Sequence, residues 1–400
     1  MIELGIEHLL RNPELQKGLR GRKISLVAHP ASVNSQLEHS LEVVKNRTDL
    51  NIVYAFGPQH GMRGEKQDNM VETEDYLDPK YKIPVFSLYG KTRKPTKEML
   101  STCDVVLFDL QDVGTRIYTF LTTLRYLMEE CSRQGKTLMI LDRPNPIGRP
   151  VEGLSLLKGQ ESFVGAAEIP MRHGLTLGEA ALFFKSYLKL NIDLSIIQMK
   201  NYQPRGPGFG WPPDRAWVNP SPNAQTLNMA RCFPGTVMIE GTTLSEMRGT
   251  TRALEGLGAP DIDAEKILAR MRSLQPTWLQ GAALRPIFFE PTFHKHKGQL
   301  CQGLQMHTDY PGYNHEAFTP YRVISLFLKV IREIHPDYPI WRDFAYEYET
   351  ERKAIDVIHG TTKFREWVDD PSAQPGDLEK LMLQDEARWR EERQPFLLYP

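Results

Sequence analysis

The sequence predicts an α/β protein, with a doubly wound, mostly parallel sheet in the N-terminal half and a smaller α+β domain with a helical tail in the C-terminal half. Three observations carry this. Apolar runs of strand length alternate with helical segments through the first half, and that alternation implies crossovers and a parallel sheet. Charged, polar clusters follow these strands in sequence. A stretch rich in Pro, Gly and Trp from Asn201 to Pro222 then breaks the pattern, as domain junctions do. A chain of 400 residues is long for one core, so two domains are expected, 1–200 and 201–400.

In chain order, Lys23–Ala28 reads as a strand, Gln36–Lys45 as a helix and Asn51–Phe56 as a buried strand. Val85–Leu88 and Val105–Phe108 are further strands, a long helix runs from about Tyr118 to Arg133, and Lys136–Leu141 closes the series. Beyond the junction, Thr236–Ile239 is strand-like, Asp263–Ser273 helical, and Pro286–Phe293 and Gln299–His307 are strands. Helices follow at about Phe318–Ile334 and Leu378–Glu392.

Hydrophobic content of 40%, charged content of 25% and a net charge of -1 are those of a globular protein and give no electrostatic case for nucleic acid. The cysteines Cys103, Cys131, Cys232 and Cys301 form no CxxC pair and read as reduced thiols. Neither a signal peptide nor an apolar run of the roughly 20 residues that span a bilayer is visible. A cytoplasmic location without membrane association is therefore expected; removal of an export signal would make it secreted or periplasmic.

The polar clusters hold the chemistry. Phe56 to Glu72 reads FGPQHGMRGEKQDNMVE, with Gln59, His60, Arg63, Glu65, Asp68 and Glu72 among three glycines that let the backbone approach a ligand. Asp109–Arg116 and Asp142–Pro146 follow two further strands. Clusters at the carboxyl ends of parallel strands converge on one rim, where ligands bind. The first strand leads into His29–Asn34, which has no glycine, and no GxxxxGK[ST] loop occurs; the topology is Rossmann-like without a nucleotide cofactor. His294 and His296 would share one side of a strand with Cys301 and His307 further on, but no compact set completes a tetrahedron, and no metal is expected. No GxSxG elbow is present.

What remains is carboxylates. Glu65, Asp68, Glu72, Asp112, Asp142, Glu179 and Glu246 lie in Gly- or Pro-punctuated segments. Paired carboxyls flanked by arginines and carboxamides suit glycoside cleavage, in which one protonates the leaving oxygen and the second attacks the sugar or activates water. Glu179 in Thr176-Leu177-Gly178-Glu179 fits a capping box instead. Glu240–Arg252, with Glu246, Arg248 and Arg252 among glycines and threonines, reads as an anion-binding loop.

FGPQHGMRG, PVFSLYGKTRKPT, VVLFDLQDVGTRIYT, LDRPNPIGRPVEG, IPMRHGLTLGE, SPN, FPGTVMIEGTTLSEMRGTTRALEGLGAP and PTFHKHKGQLCQG, in this order, together resemble the NamZ-type exo-β-N-acetylmuramidases of bacteria over nearly the whole chain. The resemblance implies a Rossmann-like N-terminal domain, a smaller C-terminal domain, a cleft between them, and release of N-acetylmuramic acid from the non-reducing end of peptidoglycan fragments. The lactyl carboxylate of that sugar makes Arg116, Arg143, Arg172, Arg248 and Arg252 candidate partners, Arg248 and Arg116 first. Asn145, Asn223 and Tyr118 would read hydroxyl and acetamido groups, and Gln59, Arg63, Asp68, Asp142, His173 and Glu246 complete the expected binding set. In the family pattern PEHG the glutamate is the favoured acid, whereas this chain has Pro58-Gln59-His60-Gly61, and a carboxamide gives no proton. The catalytic expectation therefore moves to Glu65 and Glu72 as acid and base, with Asp112 and Asp142 next and His60 orienting the sugar. Gln59 equally motivates a catalytically silent binder of cell-wall sugars, and the arginines leave a phosphorylated-sugar hydrolase or transferase open.

Overall fold

The computed structural model describes residues 2–64, 66 and 70–400. Seven strands form the first sheet: β1 (Lys23–Ala28), β2 (Asn51–Gly57), β3 (Tyr76–Leu77), β4 (Pro84–Ser87), β5 (Val105–Asp109), β6 (Thr137–Leu141) and, after the short β7 (Glu152–Ser155) and β8 (Pro170–Arg172), β9 (Leu194–Ile197). Their order is β3-β4-β2-β1-β5-β6-β9. All neighbours are parallel except β3 against β4. Strand order reverses between β1 and β5, so this Rossmann-like sheet opens a crevice at their carboxyl ends. The central strands are apolar on both faces because helices cover both. Phe120–Gln134 and Leu177–Tyr187 pack on one face, Gly5–Arg11 and Ser40–Arg47 on the other.

In the second half, the helix Pro320–Ile334 and an antiparallel sheet β10-β12-β11 (Gly256–Ala259, Ala283–Phe289 and Cys301–His307 for β10, β11 and β12) centre a core that also takes in Val113, Ile117, Ile147, Leu154, Val164 and Met171 of the first half. The tail of the chain returns to the first sheet. The Trp389 indole donates to the His173 carbonyl at 2.9 Å, and the Tyr399 hydroxyl donates to Asp142 at 2.7 Å. Among the described residues no helix is long and apolar enough to cross a membrane.

Three local readings change. The β-branched run at Thr236–Ile239 is not a strand: it ends the helix Leu227–Thr236 and continues as the 3-10 turn Val237–Gly241, because Met229, Phe233 and Val237 bury one helical face, and packing overrides propensity. The helix expected from Gln36 starts at Ser40, where His39 accepts from the Leu41 amide. The segment at His294–His296 lies beyond the end of β11, with both histidines at positive φ (68° and 57°). Its imidazoles go separate ways, His294 toward Glu246 and His296 to the Thr243 carbonyl.

Candidate active site

The chain leaves β2 through a tight reversal. His60 and Gly61 both take left-handed conformations (φ 70° and 83°), and the Gly61 amide donates to the Pro58 carbonyl at 2.9 Å. Gly57 is required here, since a Cβ would stand 2.7 Å from the Met62 nitrogen. The reversal aims Gln59 and His60 into a pocket shared with the Ile117–Thr119 turn after β5. Gln59 is buried, its amide oxygen accepts from the Thr119 hydroxyl at 2.9 Å, and the His60 imidazole meets the Lys66 carbonyl at 2.9 Å.

The second half supplies the facing wall: Asn223, Phe233, Glu240, Arg248, Tyr346 and Glu347. Glu240, on the 3-10 turn, accepts from the Arg248 guanidinium at 2.6 Å and from the Tyr346 hydroxyl at 2.7 Å. Arg248 is itself paired with Glu246 at 3.0 Å. Burial alone would raise the Glu246 carboxyl, but Lys295, Arg248 and His294 around it hold it at about 2, an ionised anchor for the arginine.

Glu347 comes from a different kind of segment. It and Tyr348 are consecutive non-glycine residues in the left-handed region (φ 46° and 71°), a conformation that costs energy and persists where surrounding contacts impose it. Those contacts reach across to the first sheet. The Tyr89 hydroxyl donates to Glu347 Oε2 at 2.7 Å, and the Gln59 amide donates to Oε1 at 3.3 Å. The Tyr348 ring stacks under Arg93 at 3.6 Å. Burial raises the Glu347 carboxyl to about 7; the Tyr89 hydrogen bond opposes this and the Glu240 charge adds to it. The pocket is narrow, with about 50 Å³ open to the centres of water molecules.

Of the residues expected from sequence, the pocket brings together Gln59, His60, Tyr118, Asn223 and Arg248. Glu65 and Asp68 lie outside the described residues. Glu72 does not line the pocket: it is exposed, meeting the Tyr348 hydroxyl at 3.1 Å. Arg63 pairs with Asp78 and Arg252 with Glu255. The remaining candidates are internal struts. Arg116 is fully buried and donates through both terminal nitrogens to the carbonyls of Leu154, Ile169, Ile358 and His359, so its guanidinium ties backbone together inside the protein and does not line the pocket. Arg143 forks onto Asp109, and Arg172 serves the Ile147 carbonyl and His315. Asp142 accepts from Thr176, the Gly178 amide and Tyr399. Asn145 bonds to the Leu175 carbonyl and the Ile147 amide. Asp112 accepts from the Gly114 amide at 2.6 Å and stands 3.9 Å from His173; burial raises the first to about 7 and lowers the second to about 3. Glu179 caps its helix as expected and also forks with Arg149.

Reading along strand ends missed Glu240, Tyr346 and Glu347. The available signal was Tyr346-Glu347-Tyr348-Glu349, alternating acid and aromatic in a segment that forms neither helix nor strand.

Glu240 and Glu347, two carboxyls in unlike surroundings, line one pocket with Gln59, His60 and Arg248 beyond the carboxyl end of β2, and paired carboxyls are what glycoside cleavage uses. Models of the exo-beta-N-acetylmuramidase NamZ family match residues 24–228 (N-terminal) and 231–399 (C-terminal), and the chain belongs to that family. A Bacillus subtilis (strain 168) protein described as peptidoglycan beta-N-acetylmuramidase NamZ is 40% identical over 347 residues, 86% of this chain and 80% of that one. Two crystal structures of DUF1343 family proteins from Bacteroides fragilis NCTC 9343 share the fold over 100% of this chain and 99% of theirs, with TM-scores of 0.84 and 0.75 at 28% and 24% identity.

Proposed function

We propose that the protein hydrolyses the glycosidic bond of a terminal N-acetylmuramic acid at the non-reducing end of peptidoglycan fragments, by a two-carboxyl mechanism. The observation that carries this reading is the pairing of Glu240 and Glu347 in one pocket. Both Glu240 oxygens accept hydrogen bonds, one from a guanidinium, which suits it to face positive charge developing at the anomeric carbon. Arg248 is the expected arginine that lines the pocket and is the candidate partner for the lactyl carboxylate. The Bacillus subtilis relative supports the substrate class. Incubation with a muramic acid–glucosamine disaccharide, followed by mass spectrometry, is expected to release free N-acetylmuramic acid. Binding of intact disaccharide with no release at any pH would overturn hydrolysis and favour the sugar-binding alternative that Gln59 motivates.

A further inference from the structure

We propose that Glu347 is the proton donor of this site, standing in from the second domain for the carboxyl that Gln59 lacks. This rests on the glycosidase reading above. Gln59 and Glu347 are separated by 288 positions, yet their side chains touch at 3.3 Å inside the pocket. The carboxamide is clamped on its other side by Thr119, so it fixes where the Glu347 carboxyl sits and cannot itself give a proton. The backbone at Glu347 and Tyr348 holds two left-handed residues in succession to present that carboxyl. Its direct partners are a hydroxyl and an amide, whereas Glu240 is paired with the Arg248 guanidinium. The groups that face it are Gln59, His60 and Tyr89 from the first domain, Glu240 and Arg248 from the second, and Tyr346 and Tyr348 on its own strap, with Arg93 acting from behind the Tyr348 ring. Burial and the Glu240 charge favour the protonated form, so the acid is retained up to about pH 7.

In the step assigned here, the Glu347 proton passes to the glycosidic oxygen as the bond from that oxygen to the anomeric carbon breaks, and the bonding pair leaves with the departing sugar as its hydroxyl. Water adds to the anomeric carbon and loses one proton, which returns through solvent to Glu347; the sum is hydrolysis. Arrangements of this kind contribute about 10²- to 10⁴-fold.

The test compares two substrates and a swapped pair. Glu347→Gln is expected to lower kcat on the disaccharide by about 10²- to 10⁴-fold, with a far smaller loss on a nitrophenyl muramoside, whose leaving group departs without protonation. Gln59→Glu combined with Glu347→Gln exchanges acid and amide across the same contact and is expected to recover part of the disaccharide activity. Tyr89→Phe, which removes a hydrogen bond that lowers Glu347, should move the alkaline limb of the pH profile upward and serves as the check should Glu347→Gln fail to fold. Equal losses on both substrates, undiminished disaccharide turnover in Glu347→Gln, or an alkaline limb unmoved by Tyr89→Phe would each overturn the assignment. A wild-type protein that cleaves neither substrate would instead overturn the function proposed above.

Discussion

The carboxyls at the ends of β5 and β6 and the carboxyls of the pocket differ in where their hydrogen-bonding capacity goes. Asp109 accepts from Arg143 and Ser40, and Asp142 from Thr176, Tyr399 and the Gly178 amide. Every one of these donors is internal, and the bonds tie strand ends to helix starts and to the chain's tail. Glu240 and Glu347 are also bonded, but three of the four partners described, Arg248, Tyr346 and Gln59, line a pocket. A buried carboxyl whose partners are all internal is thus scaffold, and one that borders a pocket is a candidate for chemistry.

Breaking the scaffold should cost most. Arg149 and Glu179 are 2% and 0% exposed and form a two-pronged pair at 2.6 and 2.7 Å. Arg149→Met leaves the Glu179 charge buried without its partner, a change worth about 3–5 kcal/mol, and urea unfolding should show that loss. Glu240→Gln is the matching change in the pocket. Arg248 keeps Glu246 as a counter-ion at 3.0 Å, so the unfolding midpoint should move little. Turnover of the disaccharide should fall by about 10²-fold or more. Equal damage to stability and turnover would erase the distinction between the two regions.

The sheet was legible because strands covered on both faces are mostly apolar: Val105–Asp109 and Thr137–Leu141 are buried at every position and carry one polar residue each. Gln59, His60 and Arg248 were legible because glycines mark their loops. The edge strand β9 is only half-buried and left a weaker pattern. Arg116, Arg143 and Arg172 became candidate partners through the lactyl carboxylate that the family resemblance implies, and an arginine in a family motif looks the same in sequence whether it meets a ligand or, as Arg116 does, four backbone carbonyls. Glu347 left only the acid and aromatic alternation of Tyr346–Glu349, because its meaning lies in a contact 288 positions away. No local periodicity encodes such a pairing.

Asp112 sharpens the comparison through pH. Burial raises its carboxyl from 3.8 to about 7, against the amides of Gly114 and Val113. The folded state therefore binds this proton more tightly than the unfolded chain, and the sign follows: the favourable contribution is present below about pH 4 and is lost as pH rises toward 7. Asp112→Asn removes that dependence while its amide oxygen can still accept from Gly114. Relative to the wild type, the variant should gain stability as pH rises from 4 to 7, measured as the difference between their unfolding free energies. A difference that stays flat would place Asp112 among the ionised struts.

Glu72 should matter least, although the sequence put it among the acids. Its side chain is 52% exposed, 3.6 Å from Arg93 and 3.1 Å from the Tyr348 hydroxyl. An exposed pair of this kind contributes about 0–1 kcal/mol, and Tyr348 keeps its stacking on Arg93 without it. Glu72→Gln retains an acceptor for Tyr348 and should change stability by less than about 0.5 kcal/mol. The disaccharide kcat should stay near the wild-type value, because Glu72 does not line the pocket. A large kcat loss with unchanged folding would return the acid to the loop after β2 and remove the reason for Glu347 to stand against Gln59.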